Sequence, residues 1–254
     1  MTGQEQGELM QTISPERPID AVLLDMDGTI LNSIKTAERI WRMWAERHDI
    51  DVEAFLPTIH GVQSVETIRR LGLAGVNPEI EAASITQAEI EDVEGIEAIA
   101  GARAFLAALP AGRWAVVTSA PRNLALRRIE AADLPVPPLL IAAEDVKHGK
   151  PAPDCFRLAA ERLGTTADRC LAIEDSAAGI AAAQSAGAIV LVVTATHPTP
   201  MDTRHAAIAD YGDLVLVRRP DGSISIRHAG EAADPPARIS CVLPEAGAQL
   251  PGRS

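Results

Sequence analysis

Two aspartates, Asp25 and Asp27, stand directly after a short apolar run, Ala21–Leu24. The run has the length and composition of a strand buried in a parallel sheet. Because side chains of an extended segment repeat every two residues, both carboxylates are expected on the same side of the strand end, where Gly28 and Thr29 turn the chain. Open α/β sheets bind ligands at the carboxyl ends of their strands. The pattern therefore predicts a surface-facing ligand site with two acids; a plain surface turn is the alternative.

Three later segments carry further groups that could do chemistry. One apolar stretch ends in hydroxyls, a glycine-lysine-proline turn supplies an ammonium, and another apolar stretch ends in two acids. Each also has an ordinary explanation, namely a strand end, a solvated lysine, and acids that begin a helix. The residues concerned are Thr118, Ser119, Lys150, Glu174 and Asp175.

Taken in order, these four segments resemble the four motifs of the haloacid dehalogenase (HAD) superfamily of aspartyl phosphotransferases. The resemblance runs from about Asp20 to about Thr196. The ordered quartet is far more specific than any single motif. It implies that Asp25 attacks phosphorus and forms an aspartyl-phosphate. It implies also that Asp27 protonates the leaving alkoxide and then takes a proton from the hydrolytic water.

The resemblance further implies how the phosphoryl group is held. Lys150 would pair with both the nucleophile and a phosphoryl oxygen, and the Thr118 hydroxyl would donate to another. The start of the following helix adds a positive dipole end to this region. The other residues expected to contact the substrate here are Gly28, Thr29, Ser119 and Ala120.

A magnesium ion is the cofactor that the resemblance implies. Its ligands would be Asp25, the backbone carbonyl of Asp27, and Asp175. Oxygen ligands that leave room for water and substrate suit Mg²⁺ better than zinc. Glu174 is expected to hold these ligands in place without contacting the metal itself, with direct ligation as the alternative. Dehalogenase-like members lack the second aspartate because a halide needs no proton, so the presence of Asp27 points to phosphate transfer.

The apolar spacing predicts the elements that position these groups. Strands alternate with helices, which predicts a Rossmann-like α/β core with a doubly wound parallel sheet. By resemblance, the first strand lies centrally, between the strands that end at Thr118 and Asp175. The predicted strands are 21–24, 115–118, 139–143, 170–173 and 189–193.

Residues 33–95 show a helical pattern throughout, which resembles the small helical cap that closes over the active site in this family. The hinges are predicted near 31–33 and 94–96, where Gly95 suits a segment that changes its dihedral angles. The predicted organisation is a flexible leader at 1–17, a core domain at 18–32 and 96–217, a cap domain at 33–95, and a C-terminal hairpin and tail at 218–254.

Residues 44–61 resemble bacterial sugar and hexitol phosphatases and their relatives acting on 2-deoxyglucose 6-phosphate and glycerol phosphate. This resemblance implies that the partner is a small phosphorylated metabolite, a sugar or polyol phosphate. His60, Gln63 and Glu66 are the candidates for contact with sugar hydroxyls. Ordinary positions on the cap surface are the alternative for all three residues.

A phosphosugar mutase of the β-phosphoglucomutase type is the alternative enzyme. Relatives of that type carry a lysine and an arginine in the cap where this chain has His60 and Ser64. A mutase needs a second cationic clamp, for which bidentate arginine is suited. Its absence favours hydrolysis, although Arg69 or Arg70 could replace it. A catalytically silent binding protein is a third class, and the intact acids and lysine weigh against it.

Composition limits the remaining possibilities. A chain of 254 residues with 47% hydrophobic composition can bury a large core. The formal charge of −12 argues against nucleic acid or an anionic membrane as partners. The N-terminal segment lacks a signal-peptide pattern, and the three cysteines show no metal-binding spacing. We therefore expect a cytoplasmic protein. A monomer is the expected oligomeric state, with a dimer as the alternative.

Overall fold

The computed structural model describes residues 18–197, 201 and 203–229. The predicted leader and most of the predicted tail lie outside these residues. The described strands are β1 (Ala21–Leu24), β2 (Leu31–Asn32), β3 (Glu97–Ala98), β4 (Trp114–Val117), β5 (Leu140–Ile141), β6 (Cys170–Glu174), β7 (Ile189–Val193), β8 (Ala206–Ile208), β9 (Leu214–Arg218) and β10 (Ile224–His228). The described α-helices are α1 (Ile34–Arg47), α2 (Val52–Phe55), α3 (Ser64–Leu71), α4 (Pro78–Glu91), α5 (Ala102–Ala108), α6 (Arg122–Ala131), α7 (Asp154–Arg162) and α8 (Ala177–Ala186).

Six strands form a parallel sheet in the order β5-β4-β1-β6-β7-β8. The first strand therefore lies between the two strands that were predicted to flank it. The Rossmann-like, doubly wound class is confirmed. The sequence pattern missed the edge strand β8, because three residues are too few to show a periodicity.

Strand β1 is buried on both faces of the sheet. Val22 and Leu24 belong to one hydrophobic cluster, with residues of α5 and α6, while Ala21 and Leu23 belong to another, with residues of α7 and α8. A parallel sheet covered by helices requires apolar side chains on both sides of its strands. Polar groups can therefore enter only where the strands end, which concentrates the chemistry at the carboxyl edge.

Helices α1 to α4 belong to residues 33–95, which we call the helical insertion. They pack around their own hydrophobic cluster, which contains Trp41, Trp44 and Phe55. The rings of these three residues lie with centroids 5.5 to 5.9 Å apart. The indole N–H of Trp44 donates to Glu81 at 2.8 Å. With a core of its own, the insertion has the packing of a separate unit.

The two chain segments that join the insertion to the rest of the molecule lie side by side. Leu31 pairs with Ala98 and Asn32 with Glu97, so that β2 and β3 form a short antiparallel ribbon. Asn32 also accepts a hydrogen bond from the N–H of Ile34 at 3.2 Å and so helps to begin α1. Strand β2 lies within the predicted hinge at 31–33, and β3 directly follows the predicted hinge at 94–96. The division into core and cap domains stays a prediction.

The predicted C-terminal hairpin is formed by β9 and β10, which pair antiparallel. Ile224 and Ile226 belong to the same hydrophobic cluster as Val22 and Leu24, and Ile224 also pairs with Ile19. The predicted boundary between residues 217 and 218 falls inside β9. No helix in the described ranges is both long and apolar enough to cross a membrane.

Candidate active site

The carboxyl ends of β4, β1 and β6 bring the predicted groups together. Asp25 follows β1, Thr118 follows β4, and Asp175 follows β6, in three strands that are neighbours in the sheet. All three residues line one cavity between the sheet edge and the helical insertion. The expectation that the site faces the surface is wrong for Asp25, which is only 6% exposed because the insertion covers this edge.

Lys150 is the centre of a buried charge cluster. Its ammonium donates to Asp25 Oδ1, to Glu174 Oε1 at 2.6 Å and to the carbonyl of Val117 at 3.0 Å. These contacts use all three N–H donors of a lysine. The side chain is therefore not an ordinary solvated lysine. Burial alone would lower its pKa, but the charges of Asp25 and Glu174 outweigh burial and raise it.

The cluster carries more negative than positive charge. Asp25, Glu174 and Asp175 each offer an oxygen atom, and these atoms lie within 4.8 Å of one another. Burial raises the pKa of Asp25 to about 7 in spite of Lys150. Burial and the nearby charges of Asp25 and Glu174 also raise the pKa of Asp175. A cation beside these oxygens would favour their ionised forms, so the residues fit a hard divalent cation.

Glu174 is buried behind the other two acids. Its Oε2 atom accepts hydrogen bonds from the N–H groups of Asp175 and Ser176, at 2.9 and 3.0 Å, and from the Ser176 hydroxyl at 3.1 Å. With Lys150 on Oε1, four donors meet a carboxylate that has about four acceptor sites. A Cβ at Gly179 would lie 1.6 Å from Oε1, so α8 must carry glycine there. This saturation favours the supporting role that was predicted for Glu174.

Gly28 and Thr29, predicted to contact substrate, lie against Asp175 instead. The Thr29 hydroxyl donates to Asp175 Oδ1 at 3.0 Å. Gly28 has a φ of +82°, and a Cβ there would lie 2.0 Å from Asp175 Oδ2. The turn after β1 therefore leaves the space in which the Asp175 carboxylate sits, and it fixes that carboxylate beside Asp25.

The loop between β4 and α6 lines the same cavity as Asp25. Thr118 is buried, and its hydroxyl oxygen accepts a hydrogen bond from the N–H of Ala120 at 3.0 Å. The Ser119 hydroxyl donates to the carbonyl of Gly61 in the helical insertion at 3.0 Å. A Cβ at Gly61 would lie 2.4 Å from Ser176 Oγ, so this part of the insertion is seated directly on the core.

Of the three residues of the insertion that were predicted to contact sugar hydroxyls, only His60 lies at the cavity. His60 lines the cavity, with its Nε2 atom 3.4 Å from Glu38. Gln63 donates instead to the carbonyl of Ala143 at 3.2 Å and so ties the insertion to the core. Glu66 lies in an exposed group of charges with Arg69 and Arg70. Neither Gln63 nor Glu66 is among the described residues that line the cavity.

Sequence reasoning missed a second buried charge cluster, around Arg128 on α6. One guanidinium nitrogen lies 2.9 Å from Asp27 Oδ1 and another 3.1 Å from Glu89 Oε1 on α4. Burial raises the pKa of Glu89 to about 6, although Arg128 acts against it. A signal was present, because Arg128 shares the buried face of α6 with Leu124 and Ile129 at helical spacing.

Fold and site together define a class of α/β enzyme with a buried carboxylate and lysine centre at the edge of a parallel sheet. The model of the haloacid dehalogenase-like hydrolase family matches residues 19–187. The chain belongs to this family and is a hydrolase, as the four motifs predicted.

Two proteins are similar to the chain in sequence, and one solved structure is similar to it in fold. The chain is 37% identical over 211 residues to hexitol phosphatase A of Escherichia coli, covering 81% of this chain and 97% of that protein. It is 30% identical over 191 residues to glycerol-1-phosphate phosphohydrolase 2 of Saccharomyces cerevisiae, covering 70% and 76%. The crystal structure of β-phosphoglucomutase from Clostridium difficile is similar in fold, with a TM-score of 0.62, 20% identity, and coverage of 69% and 84%.

Proposed function

We propose that this protein is a Mg²⁺-dependent phosphatase that hydrolyses small phosphorylated sugars or polyols through an aspartyl-phosphate at Asp25. The observation that carries the proposal is the contact of the Lys150 ammonium with Asp25 beside a second buried acid, Asp175, in a covered cavity. A carboxylate attacks an anionic phosphate only where fixed positive charge offsets the repulsion. Lys150 supplies such charge from within the protein.

The residues of the site then have the following tasks. Asp25 forms a bond to phosphorus while the bond to the substrate oxygen breaks, and Asp27 gives that oxygen a proton. In the second half, Asp27 takes a proton from water, whose oxygen attacks phosphorus and releases Asp25 and inorganic phosphate. Thr118 contacts the phosphoryl group in both halves. Lys150, whose three donors contact Asp25, Glu174 and the Val117 carbonyl, offsets negative charge beside the reacting atoms. When bound by Asp25 and Asp175, Mg²⁺ supplies further charge neutralisation.

The lining of the cavity favours a substrate with one phosphate and an uncharged remainder. Arg128 is the arginine among the described lining residues, and two carboxylates already pair with it. His60 faces Glu38. A second phosphate would need an arginine or lysine that is not already paired with a carboxylate, and the described lining of the cavity contains no such residue. The named activities of the two curated relatives, on hexitol and glycerol phosphates, agree with such a substrate.

The mutase of the β-phosphoglucomutase type remains the second candidate, since a protein of that name shares the fold. Its second phosphate clamp would have to come from Arg69 or Arg70. Arg69 pairs with Glu66 and Glu79, and Arg70 pairs with Glu66, and both arginine side chains are more than half exposed. Neither is among the described residues that line the cavity. The phosphatase is therefore the better-supported proposal.

The two candidates give different products from one substrate. In the presence of Mg²⁺, we expect each hexitol or hexose phosphate consumed to yield one free phosphate, because no second sugar monophosphate is bound to compete with water for the aspartyl-phosphate. The measurement is ³¹P NMR of a hexose 1-phosphate incubated with enzyme, Mg²⁺ and a hexose bisphosphate primer. Accumulation of the 6-phosphate ahead of inorganic phosphate would establish the mutase instead.

A further inference from the structure

Arg128 joins two carboxylates that come from opposite sides of the cavity. Asp27 belongs to the loop after β1 at the sheet edge, and Glu89 belongs to α4 in the helical insertion. Arg128 lies between them on α6, which packs against α4. Arg128 is 5% exposed and Glu89 is 3% exposed, so both charges have been removed from water.

The burial of this cluster is not explained by stability alone. Replacement of a buried ion pair by well-packed apolar side chains is often neutral or stabilising. In addition, the Nε atom of Arg128 is buried without a hydrogen-bond partner among the described residues. An unpaired buried donor destabilises the folded state. The guanidinium is therefore positioned so that its two terminal nitrogens contact Asp27 and Glu89, while its Nε–H group is left without a partner.

The contacts to Asp27 leave one carboxylate oxygen available. The Ser33 hydroxyl donates to Oδ1, and a guanidinium nitrogen of Arg128 lies 2.9 Å from the same oxygen. Oδ2 accepts no hydrogen bond from the part of the chain that the structure describes, and the Asp27 side chain, 29% exposed, lines the cavity. Two contacts on one oxygen restrict the rotation of a carboxylate. They leave the second oxygen for proton exchange with a leaving group in the cavity that Asp27 lines.

We propose that Arg128 is a positioning residue for Asp27, and that Glu89 makes this positioning depend on the helical insertion being seated on the core. The inference rests on the proposed phosphatase function, in which Asp27 exchanges protons with the leaving group and with water. When the insertion moves away, Glu89 leaves Arg128, and Asp27 loses its fixed orientation. The acid–base group is thus correctly placed only when the cavity is covered.

The test compares two substrates that differ in how much they need the acid. An alkyl phosphate such as a hexitol 6-phosphate needs a proton on its leaving oxygen, whereas p-nitrophenyl phosphate does not. The value of kcat/KM reports the steps up to departure of the leaving group. We expect Arg128→Met to lower kcat/KM for the hexitol phosphate by about 10-fold or more, and for p-nitrophenyl phosphate by less than about 2-fold.

The neighbouring residue supplies a matched control. Arg127 follows the same helix but lies on its outer side, where it pairs with Glu130 at 2.9 Å. Arg127→Met should change neither rate. Arg128→Lys should recover part of the hexitol phosphate rate, since an ammonium can contact one carboxylate but cannot bridge two as the planar fork does. This variant also keeps the test open if Arg128→Met does not fold.

Glu89→Gln tests the connection to the insertion. We expect the same selective loss in a smaller amount, and no further loss when Glu89→Gln is combined with Arg128→Met, because both act through one contact chain. Losses that multiply independently would overturn the part of the inference that concerns Glu89. Equal losses on both substrates, or no loss with Arg128→Met, would overturn the positioning of Asp27. A wild-type enzyme inactive on both substrates would instead refute the proposed function, and the inference with it.

Discussion

Asp25→Asn is expected to lower the turnover of a hexitol 6-phosphate by about 10⁴-fold or more, the order of loss that follows removal of a covalent nucleophile in other enzymes. An amide oxygen carries no negative charge and cannot form the acyl-phosphate. The effect should be as large with p-nitrophenyl phosphate, because a better leaving group does not replace the attacking atom. Steady-state phosphate release with both substrates measures it.

The same change at the other end of the strand provides the control. Asp20 precedes β1, and its carboxylate pairs with Arg169 at 2.9 Å, far along the strand from the site. Asp20→Asn should leave turnover unchanged. Asp25→Asn should also remain folded, since Lys150 keeps its contacts with Glu174 and the Val117 carbonyl. Turnover above a small fraction of the wild-type value in a folded Asp25→Asn protein would contradict the assignment of the nucleophile.

Removal of divalent cations should abolish activity, and Mg²⁺ should restore it. The reason is the excess of negative charge beside Lys150, whose ammonium contacts two of the three clustered carboxylates, Asp25 and Glu174, and not Asp175. Asp175→Asn should raise the Mg²⁺ concentration needed for half-maximal rate, whereas Asp20→Asn should not. Full activity after exhaustive chelation, with no metal in the protein by elemental analysis, would contradict the proposed cofactor.

The same site predicts how pH affects the metal-free protein. Burial raises the pKa of Asp25 from 3.8 to about 7, so the folded state disfavours its ionised form. The stability that this group contributes is present below pH about 4 and is lost as pH rises through about 7. Mg²⁺ favours the ionised form, so its addition should raise the melting temperature more at pH 8 than at pH 6. An equal shift at both values would contradict this coupling.

Much of the fold could be predicted from the sequence because it depends on local patterns. The strand before Asp25 is apolar on both faces, and β4 and β6 repeat that pattern, so their polar ends had to meet at one edge of the sheet. The ribbon of β2 and β3 could not be found in this way. Each of its strands has two residues, and their pairing depends on how the insertion sits on the core.

The site was predictable where the chemistry requires a residue type at the end of a strand. Asp25 and Asp175 are such cases, and Lys150 was recognised from its glycine-lysine-proline turn. Arg128 and Glu89 are not, because they lie 39 positions apart and each resembles an ordinary helix-surface charge until the rotation of its helix is known. Rotation also decides the outcome for Gln63 and Glu66. Gln63 donates to a core carbonyl, and Glu66 pairs with arginines at the surface, although both residues are close in sequence to His60, which lines the cavity.

The most direct test of the proposed mechanism is to trap the phosphorylated intermediate in the Asp27→Asn variant with p-nitrophenyl phosphate. This leaving group needs no acid, so the first half should proceed, while the second half should be slow by about 10²-fold because no base activates water. We predict a burst of one p-nitrophenol per active site, and reduction of the quenched protein with borohydride should convert residue 25 to homoserine, as peptide mass spectrometry would detect. Absence of a burst, or a modified residue other than Asp25, would contradict covalent catalysis by this aspartate.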